Sequence, residues 1–155
     1  DKIETSSREI IDKTGDVVWA ANPANDSLKN LLLRIESYSA SVLGAAGIQF
    51  KIICDEKLSE SFLEMDERKN LFLICKEAIH NIIKYAQATE VLISFTKTGG
   101  HLKLLITDNG IGFQHRENAY NGNGLKNMKA RVEGLKGTLN IHSEQNNGTS
   151  IEIVV

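Results

Sequence analysis

Apolar positions change their period along this chain, and each change marks an element boundary. Ile3, Ile10 and Val17 recur seven residues apart, with Ile11 and Val18 beside them, over a stretch that runs to about residue 21. That spacing predicts a helix with a narrow apolar stripe, suited to packing against another helix. Pro23 breaks the pattern, because the residue before a proline is pushed out of the helical region. Asp26 or Ser27 can cap a second helix. Its stripe is Leu28, Leu31, Leu32, Ile35, Tyr38 and Val42, and Gly44 and Gly47 end it.

Beyond Gly47, alternation replaces the helical period. Ile48, Phe50 and Ile52 predict a strand. The polar residues 55–65 read as a loop. A long helix is expected from a cap at Asp66 to about Gln87, with Leu71, Ile74, Cys75, Ala78 and Ile82 facing inward. Val91, Ile93 and Phe95, then Leu102, Leu104 and Ile106, predict two strands joined by a turn at Gly99-Gly100. Residues 107–123 are a glycine- and asparagine-rich loop. Residues 124–134 form a short helix carrying Leu125, Met128 and Val132. Strands at about 138–143 and 149–155 flank the turn Asn146-Asn147-Gly148. Two helices followed by β-α-β-β-loop-α-β-β describe an α+β two-layer sandwich, with helices covering one face of a mixed sheet.

Composition narrows the class. The 155 residues suit one compact domain with a helical appendage, and 41% apolar with 25% charged residues is ordinary for a globular chain. Eighteen basic against twenty acidic residues give a net charge of −2, which argues against nucleic acid as a partner. Cys54 and Cys75 lie in no metal or redox spacing and read as reduced core thiols of a cytoplasmic domain. No apolar run approaches the roughly 20 residues of a membrane span, so no membrane contact is expected of this segment. The chain opens on Asp1 rather than Met and reads as a piece of a longer protein.

Four polar features could carry chemistry. Glu77, Asn81 and Lys84 stand at i, i+4 and i+7 on the long helix and share one face. An amide oxygen suits Mg²⁺, an ammonium suits a phosphate, and a carboxylate can take a proton. Alone, the trio is also what a solvated helix face looks like. Asp108-Asn-Gly110-Ile-Gly112 directly follows a strand. Such an aspartate can accept a hydrogen bond from an exocyclic amine, and the glycines let backbone approach a flat ligand. Alone, it is an Asn-Gly turn. Gly122-Asn-Gly124 feeds a helix N-terminus, where free N–H groups and the helix dipole favour an anion. Gly148-Thr149 opens the last strand and by itself is a hairpin turn.

Together, in this order, the four resemble the GHKL ATP-binding superfamily. Glu77-Ala-Ile-His-Asn81-Ile-Ile-Lys84-Tyr-Ala86 resembles its asparagine box. Asp108-Asn-Gly-Ile-Gly112 resembles the first glycine box, Gly122-Asn-Gly124-Leu125-Lys-Asn-Met128 the second, and Gly148-Thr149 the closing Gly-Thr. The resemblance spans residues 48–155. Within the superfamily the chain is most similar to bacterial sensor histidine kinases of the nitrate-sensor and thermosensor type. Lys84, the short lid 114–121, and the entry of Gly-x-Gly-Leu straight into a helix carry that likeness. Residues Asp16–Leu28, with Trp19 and Pro23, resemble the dimerisation-helix and linker segment of a subgroup.

The resemblance implies a Bergerat sandwich with ATP between helices and lid. Residues 1–45 would be the second dimerisation helix and linker, and 46–155 the ATP-binding catalytic domain. Asp108 would hold the adenine amino group, with Thr149 acting through water. Gly110, Gly112 and Leu125 would line the nucleotide site. Asn81 would bind Mg²⁺, Lys84 and the amides of Gly122 and Gly124 would face the phosphates, and Glu77 would act as acid or base near the γ-phosphate. The implied partners are a second copy of the chain, through the dimerisation helices, and the receiver domain of a response regulator. The implied location is the cytoplasmic part of a membrane-anchored sensor.

The chain departs from the family in two ways. None of His80, His101, His115 and His142 is followed by an acidic residue or lies on the first helix, so the phosphoacceptor is expected outside this chain. His80 reads as structural or solvent-facing, and His115 in the lid could brush a phosphate. Tyr85 stands where the family often has histidine. Rival readings are an anti-sigma-factor-type serine kinase, a gyrase- or chaperone-like ATPase, and a non-catalytic nucleotide-binding or dimerisation module. Trp19 and the Ile3/Ile10/Val17 stripe suit either self-association or packing within one chain.

Overall fold

The computed structural model describes residues 2–113 and 122–155. Helix α1 (Lys2–Ala21) passes through one 3-10 turn (Pro23–Asn25) into α2 (Leu28–Ala45). Pro23 opens that turn, where a missing N–H leaves nothing unpaired. Of the two candidate caps of α2, Ser27 serves: its Oγ accepts from the Asn30 amide at 3.3 Å.

Strand β1 (Gln49–Cys54) follows, and then two expectations are corrected. The segment 55–65 is not a plain loop. Asp55 accepts from the Lys57 and Leu58 amides at 2.9 and 3.3 Å and starts a one-turn helix, α3 (Glu56–Ser59), and Phe62 bridges to Ser27. Helix α4 (Met65–Asn81) is capped by Glu64, not Asp66. Glu64 and Glu67 form a reciprocal capping box, which satisfies two orphan amides at once. The α-helix also stops at Asn81 instead of Gln87. Residues Ile82–Ala86 form one π turn, and Gln87, at φ 51°, turns the chain away.

The remaining elements are β2 (Glu90–Thr98), β3 (His101–Asp108), α5 (Asn123–Gly134), β4 (Thr138–Ser143) and β5 (Thr149–Val154). The sheet order is β1-β2-β3-β5-β4, with β1 and β2 parallel and every other pair antiparallel. One isoleucine from each strand falls in a single row: Ile52, Ile93, Ile106, Ile151 and Ile141. Alternation puts Val91, Ile93 and Phe95 under the helices and leaves Leu92 and Ser94 on the opposite face. The α+β sandwich with a mixed sheet is therefore the architecture.

Leu28, Leu31, Ile35 and Leu43 of α2 join Leu71, Ile74 and Ile79 of α4 in one core with the sheet. Helix α2 thus shares its core with residues beyond 46. Helix α1 is different. Trp19 packs on Phe72 at 6.1 Å between ring centroids, but Ile3 and Ile10 stay 77% and 65% exposed. The stripe of α1 finds no partner among the described residues. Among them, no helix is long and apolar enough to cross a membrane.

Candidate functional site

A cavity of about 700 Å³ opens between α4 with its π turn, the ends of β3 and β5, and the start of α5. Glu77, Asn81 and Lys84 all line it. The one-face stack expected from their spacing survives the π turn, a local widening that recurs at functional sites. The Ala86 carbonyl at the end of this turn accepts from Ile111 N at 2.7 Å, which ties the helix to the loop after β3.

Sheet register builds the opposite wall. Asp108, at the end of β3, lies beside Thr149 of β5, and Thr149 lies beside Ser143 of β4. Asp108 Oδ1 accepts from Gly110 N at 2.8 Å, forming an Asx turn at the strand end. Burial pushes the Asp108 carboxyl above the usual carboxylate range, while backbone N–H groups of Gly110 and Thr149 oppose the shift. Asn109 points away from the cavity. Its Oδ1 accepts from Thr89 N and Glu90 N, both at 2.9 Å, and so pins β3 to the start of β2.

Glycines let these parts meet. Gly112 has φ +59°, and a Cβ there would strike the Glu144 carbonyl. Gly148 has φ +73°, and its Cβ would strike the Asp108 carbonyl. Gly110 does not line the cavity. It is buried behind it, where a Cβ would collide with Ala86. At Gly124 the missing side chain makes room for the Glu77 carboxyl group. Gly122 caps α5 with no side-chain hydrogen bond among the described residues, and Gly122, Asn123 and Gly124 bring the start of that helix to the cavity wall.

Gly112, Gly122, Gly124, Leu125 and Thr149 line the cavity, and Ile82, Ile141 and Ile151 add an apolar floor. His80 and Tyr85 lie at its rim and are exposed. His101 and His142 are exposed strand residues. His115 and the lid 114–121 lie outside the described residues.

Sequence reading misses Ser143. It is 8% exposed and joins three parts of the site. Its Oγ accepts from Phe113 N at 2.9 Å, sits 3.2 Å from the Gly148 carbonyl, and lies 2.8 Å from Thr149 Oγ1. No local signal marks it, because its role comes from pairing with Thr149 across the sheet.

The described lining residues fit a magnesium-bound triphosphate. Lys84 is the one permanent cation among them, and a divalent ion would add to its charge against the phosphates. Asn81 and Glu77 offer hard oxygens, and no cluster of three His, Cys, Asp or Glu occurs among the described residues. That donor set is the sparse kind Mg²⁺ uses when phosphates and waters supply the other ligands.

Comparison with known proteins agrees with this geometry. Residues 66–155 match the family model described as histidine kinase-, DNA gyrase B- and HSP90-like ATPase. The chain is 33% identical over 95 residues to sensor histidine kinase ComP of Bacillus subtilis, a match covering 60% of this chain and 12% of that protein. It is 32% identical over 102 residues to the histidine-protein kinase/phosphatase UhpB of Salmonella typhimurium, covering 64% of this chain and 20% of that one. The chain thus spans only a small part of these relatives. Among solved structures, the blue-light activated histidine kinase of Erythrobacter litoralis EL346 superposes with TM-score 0.78 at 20% identity, over 99% of this chain and 49% of that one. Acinetobacter baumannii histidine kinase AdeS superposes with TM-score 0.73 at 17% identity, over 99% of this chain and 79% of that one. These two likenesses are of fold. The family match covers more than half of the chain, and the chain belongs to the histidine kinase-, DNA gyrase B- and HSP90-like ATPases.

Proposed function

We propose that this chain is the ATP-binding catalytic domain of a sensor histidine kinase, preceded by the second helix of its dimerisation hairpin. One observation carries the reading. A single cavity gathers Glu77, Asn81 and Lys84 from one helix, Asp108 and Thr149 from paired strands, and the N-terminus of α5.

Asp108 accepts a hydrogen bond from the adenine amino group, and Thr149 assists through water. The base lies over the apolar floor of Ile141 and Ile151. Lys84 and the amides at Gly122 and Gly124 hold the phosphates. Asn81, with the phosphates, would hold Mg²⁺, which supplies charge neutralisation along the phosphate chain. Glu77 stands at the phosphate end and takes or holds a proton of the attacking group. Phosphoryl transfer needs mainly such positioning and charge balance. The acceptor is a histidine outside this chain, and the phosphoryl group passes on to a response regulator receiver domain. The exposed Ile3, Ile10 and Val17 stripe faces a second copy in a helical dimer. The full protein would be membrane-anchored, with this part in the cytoplasm.

The test is a titration of ATP and ADP by calorimetry, with and without Mg²⁺. Binding that tightens with Mg²⁺ is expected, and no binding in either condition sinks the proposal. Glu77→Gln is then expected to keep ATP affinity while losing transfer to a supplied histidine-bearing hairpin. Labelled ATP alone should leave no acid-labile phosphate on this chain.

A further inference from the structure

Helix α1 is held to the rest of the molecule by charge at one end. Asp16 is 6% exposed, and both of its carboxylate oxygens are taken by cations from different helices. Arg34 Nη2 of α2 lies 2.7 Å from Oδ1, and Lys76 Nζ of α4 lies 2.7 Å from Oδ2. The Arg34 guanidinium rests against both the Trp19 ring, at 4.8 Å, and the Phe72 ring, at 4.7 Å, which also touch each other. Lys76 lies over Tyr38 at 5.2 Å. A third cation, buried Arg68, donates to the Ala20 carbonyl at 2.5 Å, on the negative end of the α1 dipole.

Residues 3–15 contrast with this clamp, for all of them are exposed. Two residues of low helix preference stand just before the clamp. Thr14 Oγ1 back-bonds to the Ile10 carbonyl at 2.8 Å, and Gly15 follows, where an added Cβ would meet open space. Where α1 points has a chemical consequence. A groove of about 440 Å³ has Glu9 and Lys13 of α1 on one wall and Glu77, His80 and Arg131 on the other. Glu77 lines both this groove and the nucleotide cavity.

We infer that Asp16 is a positioning residue: it sets the pose of α1 over the Glu77 end of the nucleotide cavity, through Arg34 and Lys76. The consequence for transfer rests on the proposed function, whereas the pose itself does not. Neutralising Asp16 removes the anion and leaves two partly exposed cations facing each other, so the clamp becomes repulsive.

Trp19 is the chain's single tryptophan and reports on the clamp directly. Asp16→Asn is expected to raise acrylamide quenching of Trp19 about twofold, and amide exchange over residues 17–21 by about tenfold or more. Asp16→Glu should recover most of both, since it restores the charge. ATP affinity should stay within about twofold of wild type, because Asp16 lies outside the cavity. Transfer to the supplied hairpin should slow at saturating ATP with an unchanged KM for ATP. A residue that merely held the fold together would instead lower ATP affinity along with the melting temperature. Unchanged Trp19 quenching and exchange would overturn the inference, and so would a released α1 with undiminished transfer. Should Asp16→Asn not fold, Lys76→Gln, which keeps the Arg34 pair, must show the same changes at smaller size. If the wild type binds no ATP, the functional reading falls, while quenching and exchange still decide whether Asp16 sets the pose.

Discussion

Helices α1 and α4 have similar lengths, 20 and 17 residues, and are anchored by opposite means. Helix α4 buries Leu71, Phe72, Ile74, Cys75, Ala78 and Ile79 along one side, and apolar burial holds it. Helix α1 buries only Asp16 and Ala20 among its described side chains, and two ion pairs and an arginine clamp hold its last turns. An apolar stripe therefore does not name its partner. The stripe of α4 is satisfied inside the chain, whereas that of α1 stays exposed among the described residues. Function follows the same division. The helix that carries Glu77 and Asn81 to the cavity is the one locked in the core.

The contrast can be tested hardest by removing core volume. Ile79→Ala, at a fully buried site, should cost about 2–5 kcal/mol in denaturant unfolding. Ile10→Ala on exposed α1 should change stability by no more than about 0.5 kcal/mol. Equal losses would mean that the α1 stripe is buried in solution.

Next in size is Gly148→Ala. Its left-handed φ and the Asp108 carbonyl in the path of the new Cβ should together cost about 2–4 kcal/mol. Nucleotide binding should be lost with it, because Asp108 and Thr149 would be pushed apart. Retained ATP affinity in a folded Gly148→Ala protein would show that this contact does not shape the cavity.

Asp108→Asn separates binding from stability. ATP affinity should fall by roughly 10–100-fold, as expected for a hydrogen bond to a charged group. The melting temperature at neutral pH should not drop. Burial raises this carboxyl, so its charged form costs the folded state at pH values above the folded pKa. A large loss of melting temperature would reveal a structural Asp108.

The smallest effect is an alkaline one. Burial pushes the Cys75 thiol from near 9 to about 12. Between these values the unfolded chain has released this proton and the folded chain has kept it. Stability should therefore fall as pH rises above 9, by up to about 1.4 kcal/mol per pH unit from this group. Below pH 9 this group contributes no slope. Cys75→Ala should flatten the alkaline limb in unfolding measured from pH 8 to 10.5. An unaltered slope would place its origin elsewhere.

Much of the fold was legible because alternation and helical period are local consequences of which face is buried. The strands at Val91–Phe95 and Leu102–Ile106 and the helix carrying Leu71–Ala78 follow from that logic alone. The ends of elements were less legible. Glu64 rather than Asp66 caps α4, because a reciprocal bond with Glu67 outweighs the single-residue preference for Asp. The π turn at Ile82–Ala86 shows no sequence period of its own. It sits where the chain is tied to Ile111, far along the sequence. The order of the site motifs was visible, and the place of Gly110 behind the cavity was not. Ser143 and Asp16 were invisible for one reason. Each gains its importance from partners brought by other elements.

Local pattern was enough for the α+β class, for the order of the five strands and the longer helices, and for a short set of polar residues that turn out to line one cavity. These depend on local spacing and on side-chain chemistry. It took the folded chain to put Asp108, Thr149 and Ser143 in one row, to bring Glu77 against Gly124, and to clamp α1 to two helices through Asp16. Those are contacts between distant residues, fixed by strand register and helix packing, and no local pattern encodes them.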